Sequence, residues 1–282
     1  MTGSFTLTLS CPNRSGIVHA VSSFLLRRGC DISEYRQFDD PVRERLFLRA
    51  QASTGREADV AGLAGDFEAV AADFEMSYSF APDRPARILV MVSKLGHCLN
   101  DLLFRWRAGS LSADIVAVVS NHEDLRPMAE AAGLPFVHIP VTPATKPAAE
   151  ARLLRVVEEH DAELVVLARY MQVLSDQTCK ALEGRAINIH HSFLPGFKGA
   201  KPYHQAYSRG VKLVGATAHY VTPDLDEGPI IEQEVIRIDH THDPKALQTV
   251  GRDAEALALS RAVRWHCERR VLPNGHSTVV FT

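Results

Sequence analysis

The sequence predicts two α/β domains in series: a βαββαβ unit with the split βαβ order, then a doubly wound, Rossmann-type parallel sheet. Three observations predict it. Before residue 82, apolar alternation at period 2 and apolar stripes at period 3.6 follow one another as β, α, β, β, α, β. After residue 86, short apolar runs alternate with amphipathic helices. Between them, Ala81-Pro82-Asp83-Arg84-Pro85-Ala86 sets two prolines within four residues, which disfavours both helix and central strand. A length of 282 residues suits two domains at about 150 residues each.

Phe5, Leu7 and Leu9 alternate with threonines, the mark of a half-buried strand. A turn over 11–16 follows. Ile17, Val18, Val21, Phe24 and Leu25 then recur on one helix face, up to Gly29. Strands are expected at 32–38 and 46–50, joined by a hairpin turn at Asp39-Asp40-Pro41. Val60, Leu63, Ala64, Phe67 and Val70 mark a second helix, and Met76, Tyr78 and Phe80 a last strand.

The second domain opens on Arg87-Ile88-Leu89-Val90-Met91-Val92, a nearly continuous apolar run that reads as a strand buried on both faces. A helix with Leu99, Leu102, Leu103 and Trp106 is next. Strands at 115–119, 136–139 and 164–167 alternate with helices at 125–132 and 153–160. In such sheets the site lies beyond the carboxyl ends of the strands. Those ends read Ser93-Lys94, Ser120-Asn121-His122, Ala168-Arg169-Tyr170 and Asn188-Ile189-His190.

Composition excludes several classes. Apolar residues at 46% and charged residues at 23% are the proportions of a soluble globular chain. A net charge of −3 gives no global attraction to nucleic acid or anionic lipid. There is no apolar run of 18 residues and no charged leader, so neither a membrane span nor a signal peptide is expected. Five scattered cysteines without a C-x-x-C pair argue against a disulfide framework and a zinc cluster, and for a reducing cytoplasm.

Polar residues concentrate in two places. In 187–195, Asn188 and His190 are two apart and project from the same side of an extended segment. An amide beside an imidazole suits a carbonyl oxygen on which negative charge develops; equally, Asn188 caps a turn and His190 is a satisfied surface histidine. In 215–231, a strand carrying His219 runs into the acidic loop Asp224-Leu225-Asp226-Glu227, closed by Gly228-Pro229. Such a loop is either a solvated turn or the source of a carboxylate that deprotonates water or orients an imidazole.

Together the two clusters resemble the folate-dependent formyltransferase family, which uses an Asn-x-His pair and an Asp from an Asp-x-Gly loop. The matching positions are Asn188, His190 and Asp226. His191 stands where the transformylases carry proline, and 199–206 continues the deformylase version of the pattern. The C-terminus, with 251–255, 270–272 and 278–281, is similar to the deformylases as well. Cys11-Pro12-Asn13-Arg14-Ser15-Gly16-Ile17-Val18 resembles the start of an ACT domain, whose fold is βαββαβ. The resemblance implies an ACT-like regulatory domain over 1–82 and a formyltransferase-fold catalytic domain over 86–282.

It also implies the reaction: hydrolysis of 10-formyltetrahydrofolate to tetrahydrofolate and formate, which supplies formate for purine synthesis and balances the one-carbon pool. The expected catalytic group is Asn188, His190 and Asp226, with His219 behind it. Arg169, Tyr170, Met171, Val173, Leu174, Thr222, Glu227 and Gly228 are expected at the folate pocket. Lys198, Lys201 and Arg169 are candidates for the glutamate tail, and Asn13, Arg14, Ser15 and Gly16 for a small amino-acid effector at a helix N-terminus. Folate and water are then the partners, no metal or cofactor takes part, and a cytoplasmic homo-oligomer is expected by analogy with ACT domains. Two readings compete: formyl transfer to an amine acceptor, and folate sensing without turnover. The related glycinamide ribonucleotide transformylases hold a phosphate in a glycine-rich loop, whereas 92–100 here holds Gly96 alone. Lys94 or His97 would have to supply that contact instead, so the sequence favours water as acceptor.

Overall fold

A computed structural model describes residues 3–55, 58–195 and 206–282. The chain forms two compact units, one of residues 1–84, 268–274 and 278–282, the other of residues 85–267 and 275–277.

In the first unit the order is β1 (Gly3–Pro12), α1 (Ile17–Arg27), β2 (Asp31–Asp40), β3 (Arg45–Thr54), α2 (Val60–Asp73) and β4 (Ser77–Pro82). The strands form an antiparallel sheet in the order β2-β3-β1-β4, the split βαβ arrangement that the sequence predicts. Phe5, Leu7 and Leu9 of β1 are buried with Val21, Phe24 and Leu25 of α1 and with Leu63 and Phe67 of α2. Val18 departs from the expected stripe and is 43% exposed, because i+1 turns away from the face set by Ile17, Val21 and Phe24.

The C-terminus overturns one boundary. Residues 268–274 and 278–282 cluster with the first unit and not with the catalytic domain drawn as 86–282. Strands β12 (Val271–Asn274) and β13 (Ser277–Val280) form a hairpin whose Leu272, with Phe281, buries Phe47 of β3. Buried Arg49 donates to the Glu268 carbonyl at 3.0 and 3.2 Å and pairs with Glu34, and the Asn274 amide donates to Asp40 at 2.8 Å. These contacts join residues more than 200 positions apart, so no local pattern announces them.

The second unit contains β5 (Ala86–Val92), α3 (His97–Arg107), β6 (Ala113–Ser120), α4 (Arg126–Ala131), β7 (Phe136–His138), α5 (Lys146–Glu159) and β8 (Leu164–Leu167). It continues with α6 (Asp176–Ala181), β9 (Ala186–His190), β10 (Leu213–Tyr220), β11 (Ile230–Arg237) and a 24-residue helix, α7 (Pro244–Cys267). The sheet order is β11-β10-β9-β8-β5-β6-β7. From β7 to β9 the strands are parallel, as predicted; β10 and β11 run antiparallel, so the sheet is mixed and not wholly parallel. The order reverses at β5, with β6 on one side and β8 on the other, which opens a crevice beyond their carboxyl ends. No helix among the described residues is long and apolar enough to cross a membrane.

Helix α7 was not anticipated as an element. Its buried face reads Leu247, Gly251, Ala254, Ala258 and Ala262, at helical spacing but built mostly of small residues that leave little hydrophobic signal.

Candidate active site

Strands β9 and β10 pair so that His190 lies opposite Thr217 and Asn188 opposite His219. That antiparallel register brings the two sequence clusters together. Beyond β10 the chain turns back at once, and Tyr220 N–H donates to the Pro229 carbonyl at 3.0 Å. Gly228 permits this closeness: a Cβ there would lie 1.7 Å from the Tyr220 oxygen and 3.2 Å from His219 Nδ1. Asp226 is held at φ 58°, a left-handed conformation that turns its carboxylate inward.

The result is a compact charge pair. His190 Nδ1 lies 3.1 Å from Asp226 Oδ2, and both side chains are largely buried. The hydrogen bond from His190, followed by the neighbouring His219, holds Asp226 well below the usual carboxylate range, so it is ionised at every physiological pH. His219 Nδ1 donates to the Tyr220 carbonyl at 2.8 Å, which leaves Nε2 to accept from the Asn188 amide at 3.2 Å. Its 3.7 Å separation from Asp226 Oδ1 is too long for a hydrogen bond. His190 Nε2 is buried and has no hydrogen-bond partner among the described residues.

These residues form one wall of a cavity of about 280 Å³. Its other walls are Leu167 and 169–174 beyond β8, Cys179 of α6, and Val221, Thr222, Pro223 and Leu225 of the acidic loop. Ser93 anchors the segment after β8: its hydroxyl accepts from Met171 N–H at 2.9 Å and donates to Asn121 at 2.7 Å. The volume is at the low end for ligand pockets and suits a flat ring system whose remainder extends into solvent. Burial pushes the Tyr170 hydroxyl up to about 12, so that it remains a neutral donor. Burial, then the charge of Arg169, lowers His191 to about 4 and keeps it neutral at pH 7.

Of the residues expected at this site, Asn188, His190, Asp226, Arg169, Tyr170, Met171, Val173, Leu174, His219 and Thr222 all line the cavity. Two do not. Glu227 is exposed on the turn, where its N–H bonds the Asp224 carbonyl, and Gly228 supports the loop from behind. Arg169 is unsuited to an exposed glutamate tail, since its side chain is 10% exposed and lies 3.2 Å from the buried Glu255 carboxylate. Lys198, Lys201 and the segment 199–205 lie outside the described residues. Gln172, Cys179, Ile189, His191, Pro223 and Leu225 were missed as lining residues. Only the serine that caps α6 marked the approach of Cys179. In the first unit, Arg14 bonds the Asp73 carbonyl and its guanidinium lies 4.9 Å from the centre of the Phe74 ring. The α1 N-terminus behind Gly16 has no side-chain cap.

Residues 86–263 match the family described as formyl transferase. Over 277 residues, 98% of this chain and 97% of the other, the sequence is 54% identical to a formyltetrahydrofolate deformylase of Corynebacterium sp.. The chain belongs to the formyltetrahydrofolate deformylase family. The crystal structure of the deformylase from Burkholderia mallei superposes with a TM-score of 0.94 at 54% identity, covering 99% of this chain and 100% of its own. A glycinamide ribonucleotide transformylase from Symbiobacterium toebii gives a TM-score of 0.66 at 30% identity and covers 70% of this chain against 95% of its own. The deformylases thus match both units of this chain, whereas the transformylase leaves about a third of it unmatched.

Gly228→Ala is expected to remove nearly all activity, because the added methyl group meets backbone and cannot be relieved by a side-chain rotation. Steady-state kinetics on the folded variant, with circular dichroism as the control, check this.

Proposed function

We propose that this chain hydrolyses 10-formyltetrahydrofolate to tetrahydrofolate and formate, feeding formate to purine synthesis and setting the one-carbon folate balance. The observation that carries the reading is the His190–Asp226 pair beside Asn188 in the wall of a ring-sized cavity. Such a trio is more than binding requires, which weighs against a folate sensor without turnover.

Asp226 acts through His190 in this scheme. It accepts the Nδ1 hydrogen, fixes the tautomer and stabilises the imidazolium, leaving Nε2 as the nitrogen that exchanges protons. A carboxylate held so far below its usual range is a weak base for water, and the imidazole is the better acceptor. Nε2 takes a proton as water adds to the formyl carbon. The C–N10 bond then breaks, the same proton passes to N10, and formate leaves. The Asn188 amide spends one hydrogen on His219 and keeps a second for the developing oxyanion, where one good donor contributes about 3 kcal/mol. No metal or redox group is part of the scheme.

The first unit is assigned on the same footing to an ACT domain that binds a small amino acid at Asn13, Arg14, Ser15 and Gly16 and pairs with a second copy in a cytoplasmic homo-oligomer. Its βαββαβ order and the uncapped α1 N-terminus support the reading. Screening the twenty amino acids against the intact chain should find one that changes the hydrolysis rate at least twofold, with the effect weakened in Asn13→Ala. Absence of any response, with a monomer by light scattering, would remove the assignment.

Asp226→Asn should bind folate nearly as well as the unmodified chain yet lose about 10²–10⁴-fold in kcat. The same variant has a signature in stability. Because the folded-state value of Asp226 is depressed, its contribution is fully present above the unfolded value of about 4 and fades as pH falls below it. The melting-temperature gap between the two proteins should therefore be widest near neutrality and narrow toward pH 3.

The acceptor is tested directly. In ¹⁸O-labelled water the label should enter formate at one equivalent per folate consumed, and added glycinamide ribonucleotide should remain unformylated. Stoichiometric formylation of that amine would instead establish a transferase.

A further inference from the structure

Helix α3 begins at the carboxyl end of β5, beside the point where the strand order reverses. In a doubly wound sheet, this N-terminus is where the anionic group of a ligand docks, since its free N–H groups and the helix dipole both favour negative charge. Here an anion from the protein itself reaches that end. Glu255 of α7 is 1% exposed, and its Oε2 lies 2.7 Å from Nε2 of His97, the first residue of α3. The Cys98 sulfur, the next residue, falls within 4.8 Å of the same group. Burial, then the charge of Glu255, keeps that thiol protonated.

Arg169 approaches from the cavity side. Its Nε is 3.2 Å from Glu255 Oε2 but off the line of a hydrogen bond, so the contact is Coulombic and the buried N–H remains unsatisfied. A guanidinium, an imidazole and a helix N-terminus thus converge on one carboxylate, the donor set that would otherwise hold a phosphate. His97, Cys98 and Glu255 also suit zinc by ligand type, yet the Arg169 charge on the shared oxygen opposes a second cation.

We propose that Glu255 is a specificity-determining residue: a tethered anion that occupies the place of an acceptor's phosphate and so leaves water as the only acceptor. The inference rests on the hydrolytic reading above. It explains the single glycine of 92–100 in different terms, since a loop whose anion is supplied from α7 has no need of a phosphate nest. It also explains why His97, offered by the sequence as a phosphate contact, is already engaged.

The probe is inorganic phosphate, compared with chloride at equal ionic strength. The unmodified chain should show neither calorimetric phosphate binding nor a phosphate-dependent rise in melting temperature. Glu255→Gln, which keeps the shape and removes the charge, should bind phosphate at least tenfold more tightly, and His97→Ala in that background should abolish the gain. A variant that folds only when phosphate is present counts as the same result. A Glu255→Gln protein that behaves alike in phosphate and chloride would overturn the proposal. Formate release by the unmodified chain is measured in parallel, so failure of the hydrolytic reading registers there, independently of phosphate binding.

Discussion

A carboxylate clamped to an imidazole organises the chemistry of this molecule. Asp226 and His190 meet at 3.1 Å in a largely buried setting, where the pair is stronger than at the surface and where either partner alone would be costly. Much of the surrounding structure serves that contact. The antiparallel register of β9 and β10 brings Asn188 beside His219, and Gly228 lets the acidic loop close against β10. Asp226 itself adopts a backbone conformation that few side chains tolerate, a local cost offset by two histidines gathered around its carboxylate.

The parallel half of the sheet contributes position. Ser93 at the end of β5 and Asn121 after β6 link their hydroxyl and amide to the backbone of Met171, so the apolar edge of the cavity is tied to the most rigid strands. Its exposed members, Met171, Val173 and Leu225, are half or more open to solvent and give an apolar rim beside a polar wall. A pterin presents the same division, with a flat apolar face and a hydrogen-bonding edge.

Charge is placed with equal economy on the opposite side. Arg169 and His97 would be unpaired buried cations, or a receptor for any passing anion, without Glu255. The carboxylate comes from α7, the longest helix of the chain, whose alanines and glycine let it pack closely on the sheet and on α3.

The sequence by itself determined the element order, the breaks at Pro82 and Pro85, and the identity of Asn188, His190 and Asp226. Those features are written in local periodicity, in turn residues and in short motifs, which are set by neighbours a few positions apart. Tertiary structure decided the rest. That Asn188 turns to His219, that β10 and β11 run antiparallel, that the C-terminal hairpin packs on Phe47, and that Glu255 meets Arg169 and His97 are all pairings of distant segments. Helix α7 escaped notice because burial there depends on small residues fitting a surface, and small residues carry almost no hydrophobic pattern. A buried carboxylate in such a helix reads as a solvated charge until the partners that neutralise it are brought together by the fold.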